Sequence, residues 1–99
     1  MTPFPFAPRY GSGQTVTAGA SAAVTLNATD LQVCVTNLDS AEIGYIRTGP
    51  GDASAADMPV LPGKAIVVSK GDGTIRLAYF SAGTPDLHIM TGNGWLNEA

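Results

Sequence analysis

The stretch MPVLPGKAIVVSKGDGTIRLAYFSAGTPDLHIMTG, residues 58–92, decides the fold. It holds three short apolar runs, 65–69, 75–80 and 87–90, each rich in β-branched or aromatic residues and bounded by Gly, Pro or Asp. Branched side chains suit a pleated surface, and Gly, Pro and Asp suit turn conformations, so the pattern predicts strands separated by tight turns. In the middle run Ile75, Leu77 and Tyr79 alternate with Thr74, Arg76 and Ala78. A period of two sends the first set toward a core and puts Arg76 on the opposite face. Gly71-Asp72-Gly73 supplies a turn between the first two runs, and Pro62-Gly63 supplies one before them.

Working back from this stretch, the same grammar recurs. Residues 49–57, GPGDASAAD, form the longest break, and residues 58–61 give a short extended piece after it. Residues 42–48 read as a strand in which Gly44 marks a bulge or a close approach. Residues 31–37 alternate cleanly, with Leu31, Val33 and Val35 facing inward and Gln32, Cys34 and Thr36 outward. Residues 14–18 and 22–26 are two further strand pieces, and 27–30 and 38–41 are turns. No helical period of ten residues occurs anywhere in the chain. Short strands at this spacing predict an all-β fold, a small antiparallel β-sandwich of jelly-roll or Ig-like topology. Its expected core includes Leu26, Leu31, Val33, Val35, Ile66, Val68, Ile75, Leu77, Leu87 and Ile89.

Residues 1–13, MTPFPFAPRYGSG, differ in kind from the rest of the chain. Pro3, Pro5 and Pro8 forbid a helix and remove ladder donors, while Phe4, Phe6 and Tyr10 supply apolar teeth. The expectation is an extended N-terminal arm over 1–13, a β-sandwich over 14–94 and a short C-terminal tail over 95–99.

The 99 residues are enough for one domain with a modest core, since a chain of this size buries about 60–70% of its unfolded surface. Charged residues make up only 13%, about half the share usual in soluble domains, which implies a surface partly covered by other protein. The basic residues Arg9, Arg47, Lys64, Lys70 and Arg76 are scattered, and the net charge is −3. Nucleic-acid binding needs a basic stripe to neutralise phosphates, so none is expected. No run approaches the roughly 18 apolar residues of a membrane span, and the N-terminus lacks the basic-then-apolar order of a secretory signal. Asn27-Ala28-Thr29 fits the glycosylation pattern but reads as a turn in that setting.

Chemistry-bearing residues do not converge in the sequence. Cys34 is the one cysteine and His88 the one histidine, far apart in the chain, so neither a zinc cluster nor a Cys-His pair is offered. His88 alternates with Leu87 and Ile89 and is expected on the outer face. The acids are spread over turns, and the Gly-x-Gly pairs lack the helix a phosphate fingerprint requires. The chain is therefore read as no enzyme, with no catalytic residues, cofactor or metal.

One resemblance bears on function. Val35-Thr36-Asn37 closes a strand, Tyr45-Ile46-Arg47 follows, a Gly/Ala-rich loop leads into Asp57-Met58-Pro59-Val60-Leu61-Pro62-Gly63, and Thr91-Gly92-Asn93-Gly94 closes the last strand. This order, with the low charge and the Ala, Gly, Val and Thr content, resembles small β-sandwich virion structural proteins of tailed bacteriophages, over residues 14–94. The resemblance implies a capsid decoration (cement) protein that stabilises the head by bridging capsid subunits. It implies as partners the major capsid protein or other virion proteins. The expected location is the virion, at the capsid surface, after synthesis in the host cytoplasm. A tail, collar or head-spike component is the first alternative. A carbohydrate- or receptor-binding module that stacks on Tyr45, Tyr79 or Trp95 is the second. The low charge and the aromatic surplus also favour a homo-oligomer, with a trimer preferred. Phe4, Phe6, Arg9 and Tyr10 are the expected partner contacts on the arm, with Tyr45, Arg47, Phe80 and Trp95 on the surface.

Overall fold

The computed structural model describes residues 7–70 and 73–93. Its strands are β1 (Ala7–Pro8), β2 (Gln14–Thr17), β3 (Ala22–Thr25), β4 (Gln32–Asn37), β5 (Gly44–Thr48), β6 (Met58–Val60), β7 (Ala65–Ser69), β8 (Arg76–Phe80) and β9 (Asp86–Asn93). They form two wholly antiparallel sheets. The first runs β2-β9-β4-β7, with β1 beside β2 on the same edge of β9, and the second runs β3-β8-β5-β6. The fold is the β-sandwich that the alternation predicts.

Strand order selects between the two topologies left open by sequence. The pairs β2·β9, β3·β8, β4·β7 and β5·β6 are the rungs of one long antiparallel ribbon folded over itself. Two Greek keys of this kind make a jelly roll, not an immunoglobulin arrangement. The neighbouring runs 65–69, 75–80 and 87–90 do not pair as successive hairpins, because β8 lies in the other sheet from β7 and β9. The two connections between these runs both cross between sheets, so each apolar run finds its ladder partner elsewhere in the chain.

The inner faces meet as period-two patterning requires. Val33 and Val35 of β4 and Leu87 and Ile89 of β9 pack against Ile46, Val60, Leu77 and Tyr79 of the other sheet. Six of these eight, Val33, Val35, Val60, Leu77, Leu87 and Ile89, have no accessible surface. Burying a side chain of this size stabilises by about 1.5–3 kcal/mol. Gly44 is a close approach: a Cβ there would lie 3.0 Å from Leu87 Cδ2. The Pro62-Gly63 turn is type II, with Gly63 at φ +69° and the Lys64 N–H donating to the Leu61 carbonyl at 3.0 Å.

The expected core needs corrections at its margins. Leu31 is 46% and Ile75 50% exposed. Each lies just before its strand, at the end of the sandwich, where the inward side is left open. Ile66 and Val68 point inward but are only partly buried, since the sheet facing them ends in the three-residue β6. The last strand runs longer than 87–90 because Gly92 pairs with Gln32 on one side and Pro8 on the other. Ala78, on the outer face of β8, is buried all the same. Loop 49–57 folds back over that face, with Arg76 donating to the Gly49 and Gly51 carbonyls and Ser21 to the Ala53 carbonyl.

Candidate interaction surface

The N-terminal segment is fastened to the sandwich by one buried acid. Asp30 is 1% exposed and accepts two bonds from Arg9, from Nε and Nη2, each 2.7 Å. The Thr91 hydroxyl donates to the same carboxylate at 2.7 Å. These charge-assisted bonds, led by Arg9, hold the Asp30 carboxyl below its ordinary value against the opposing effect of burial. Beside them β1 pairs with the end of β9, and Arg9 N–H donates to the Thr91 carbonyl at 2.8 Å. Arg9, expected to meet a partner, thus spends its fork on Asp30. Its neighbour Tyr10 is 87% exposed and borders an open cleft of about 370 Å³ with Ser12, Gln14, Thr25 and Asn27.

The second expected group gathers on the outer face of β5 and β8. Tyr45 and Phe80 are cross-strand partners with ring centroids 6.4 Å apart, and Pro59 pairs with Tyr45 on its other side. Arg47 follows on the same face, 3.8 Å from Asp57. Tyr45 and Phe80 lie at one end of the sandwich and Arg9 and Tyr10 at the other, so the expected contacts make two surfaces. Tyr79 belongs to neither. It is 9% exposed and part of the core, which removes it as a stacking platform. Phe4, Phe6 and Trp95 lie outside the described residues.

The exposed large hydrophobics are the surface feature that sequence reasoning missed. Leu38 (57%), Ile43 (37%) and Leu61 (50%) sit in loops 38–43 and 61–64 at the end nearest Tyr45. Gly63 N–H bridges these loops by reaching the Asn37 and Asp39 carbonyls. At the opposite end are Leu31, Ile75 and Tyr10, and on one side edge are Met58 (51%) and Val67 (38%). The signal was present for Leu38, Ile43 and Leu61, apolar residues inside or beside predicted turns. For Leu31 and Ile75 it pointed the wrong way.

The outer face of the first sheet carries the remaining chemistry. His88 lies there as expected, with Nδ1 3.2 Å from the Thr15 hydroxyl. Cys34 is half-buried on the same face, and burial pushes its thiol up from the ordinary value. Among the described residues no three His, Cys, Asp or Glu side chains come together as a metal site. Asn27 is the turn residue expected, its Oδ1 accepting from the Thr29 N–H at 2.9 Å. No protein-family model, curated protein or solved structure matches this chain.

Proposed function

We propose that this chain is a bacteriophage virion structural protein of the capsid-decoration kind, binding the head surface and bridging neighbouring capsid subunits. The observation that carries the reading is the placement of exposed apolar side chains at both ends of the sandwich. Leu38, Ile43 and Leu61 crown one end, and Leu31, Ile75 and Tyr10 the other. A bridge needs two contact surfaces facing apart, and apolar groups exposed at both ends gain from being covered. The low charged fraction and the resemblance over residues 14–94 support the same role. Many copies on one shell would multiply modest contacts through avidity.

The test uses virions of the phage that encodes the chain and capsids of that phage stripped of it. A density map should show copies over the whole head, and added protein should refill stripped capsids and raise their heat resistance. Leu61→Asp at one end and Ile75→Asp at the other should each lower occupancy. Removing residues 2–6, which takes away Phe4 and Phe6 but spares Arg9, should lower it as well. A handful of copies confined to the tail or neck would replace this reading with the tail, collar or spike role. Absence from the virion would end both.

A further inference from the structure

We infer that β7 is the contact between two copies of this chain, paired antiparallel and edge to edge about a two-fold axis through Val67. Among the described residues β7 ends the first sheet and pairs only with β4. In an antiparallel ladder alternate residues exchange bonds with the partner, and the residues between them point their N–H and C=O the other way. Asn37 N–H donates to the Lys64 carbonyl at 2.8 Å, and Lys70 N–H to the Leu31 carbonyl at 2.9 Å. Those bonds fix the phase: 64, 66, 68 and 70 face β4, so Ala65, Val67 and Ser69 direct their backbone groups to the free edge.

Proteins blunt such edges with proline, charge, bulges or shortness. The opposing edge strand β6 has three residues and contains Pro59. β7 has five residues, AIVVS, with no proline and no charge. Beside it the core is open. A cavity of about 260 Å³ lies between the two edge strands, lined by Ile46, Met58 and Val68 with Arg47 and Thr48. A strand added to β7 would therefore complete a ladder and cover an apolar opening at once.

The sequence of β7 fits a second copy of itself. Antiparallel pairing about Val67 sets Ala65 opposite Ser69, Ile66 opposite Val68 and Val67 opposite Val67. Small residues meet small ones, branched meet branched, and inward and outward faces stay in register. Just beyond the ladder Lys64 would stand across from Lys70. The two charges do not meet in water, since Lys70 is 5% exposed and turned onto the Thr74 carbonyl at 2.6 Å. On the outer face the cross-strand row Met90, Cys34, Val67 would continue into the same row reversed. This contact is isologous and closes at two subunits, in place of the trimer favoured on composition. It stands independently of the decoration role, since dimerisation is read on the free protein and occupancy on particles.

Sedimentation of the full chain should give twice the monomer mass, falling to the monomer on dilution. Val67→Pro removes a donor that points away from β4, so it should leave the β-type circular dichroism intact and abolish the dimer. Val67→Lys should do the same by charge repulsion, which covers the case in which proline unfolds the strand. A spin label on Cys34, the one cysteine, reports the geometry without mutation. Three strand spacings separate the two Cys34 backbones, about 14–15 Å. A monomer at every concentration, a trimer, a dimer indifferent to both variants, or a label distance far longer than this would overturn the inference.

Discussion

Strand β4 is fastened at each end by a buried polar side chain, and the two fastenings work by different physics. Before its start, Asp30 gathers a guanidinium and a hydroxyl around a charge. At its end, Asn37 does the same work with a neutral amide. Its Nδ2 donates to the Glu42 carbonyl at 2.8 Å and the Val60 carbonyl at 2.9 Å, and its Oδ1 accepts from the Asp39 N–H at 2.9 Å. Both side chains are 1% exposed. The amide ties loop and strand backbone together, and its partners carry no charge. The carboxylate ties the N-terminal segment to β4 and β9, and its strength depends on its ionisation. The hydrogen bonds of Asn37 itself do not titrate, whereas Asp30 fastens the other end through an ion pair that acid can release.

The largest change should come at the neutral end. Asn37→Ala takes a donor from the Val60 carbonyl and another from the Glu42 carbonyl and removes the acceptor of the Asp39 N–H, at roughly 1–3 kcal/mol for each buried group that loses its partner. Urea unfolding should show the loss equally at pH 7 and pH 4. A loss confined to one pH would break the comparison.

Asp30→Asn comes next and should show as a lower Tm at neutral pH. The carboxyl of Asp30 is held below its ordinary value of 3.8, so the unfolded chain takes up its proton first as pH falls. Its stabilisation is complete above that value and is lost as pH drops through the lower folded value. The wild type should therefore lose stability on acidification below about pH 4, and the variant should lose less. Part of the acid response will remain, because the backbone N–H groups of Ala41 and Glu42 also hold Asp39 below its ordinary value. Equal acid slopes in variant and wild type would show that Asp30 is not the acid-sensitive fastening.

Thr91→Val is the finest test. It deletes one donor to Asp30 and leaves both Arg9 bonds in place, at a cost of about 1–2 kcal/mol. With less support for its charge, Asp30 should titrate higher, so acid unfolding should begin at higher pH than in the wild type. Nuclear magnetic resonance titration of the Asp30 carboxyl reads this directly.

Most of the strand layout was legible because a half-buried strand writes its burial into alternate residues. Val33, Val35, Leu77, Leu87 and Ile89 alternate with neighbours that, Met90 apart, are polar or small, and all five are fully buried. Leu31 and Ile75 were misread because the same alternation runs on past the point where the opposite sheet stops. The surface reading was legible in part. Tyr45 and Phe80 do share a face, but their being partners depends on the pairing of β5 with β8. Asp30 looked like any turn aspartate, since its cation stands 21 residues away and no local pattern links the two.

By itself the sequence determined that this chain is all-β, where most of its strands fall and, for β4, β7, β8 and β9, which residues turn inward. Local conformation and period-two burial are properties of neighbouring residues, so a single chain read in order contains them. Only the tertiary structure decided that consecutive strands cross between sheets into a jelly roll. It alone joined Arg9 to Asp30, put apolar groups at both ends and, among the described residues, left β7 with a free edge beside an open core. Each of these rests on contacts between segments far apart in sequence, fixed jointly by the pairing of all the strands, and no stretch of neighbouring residues records them.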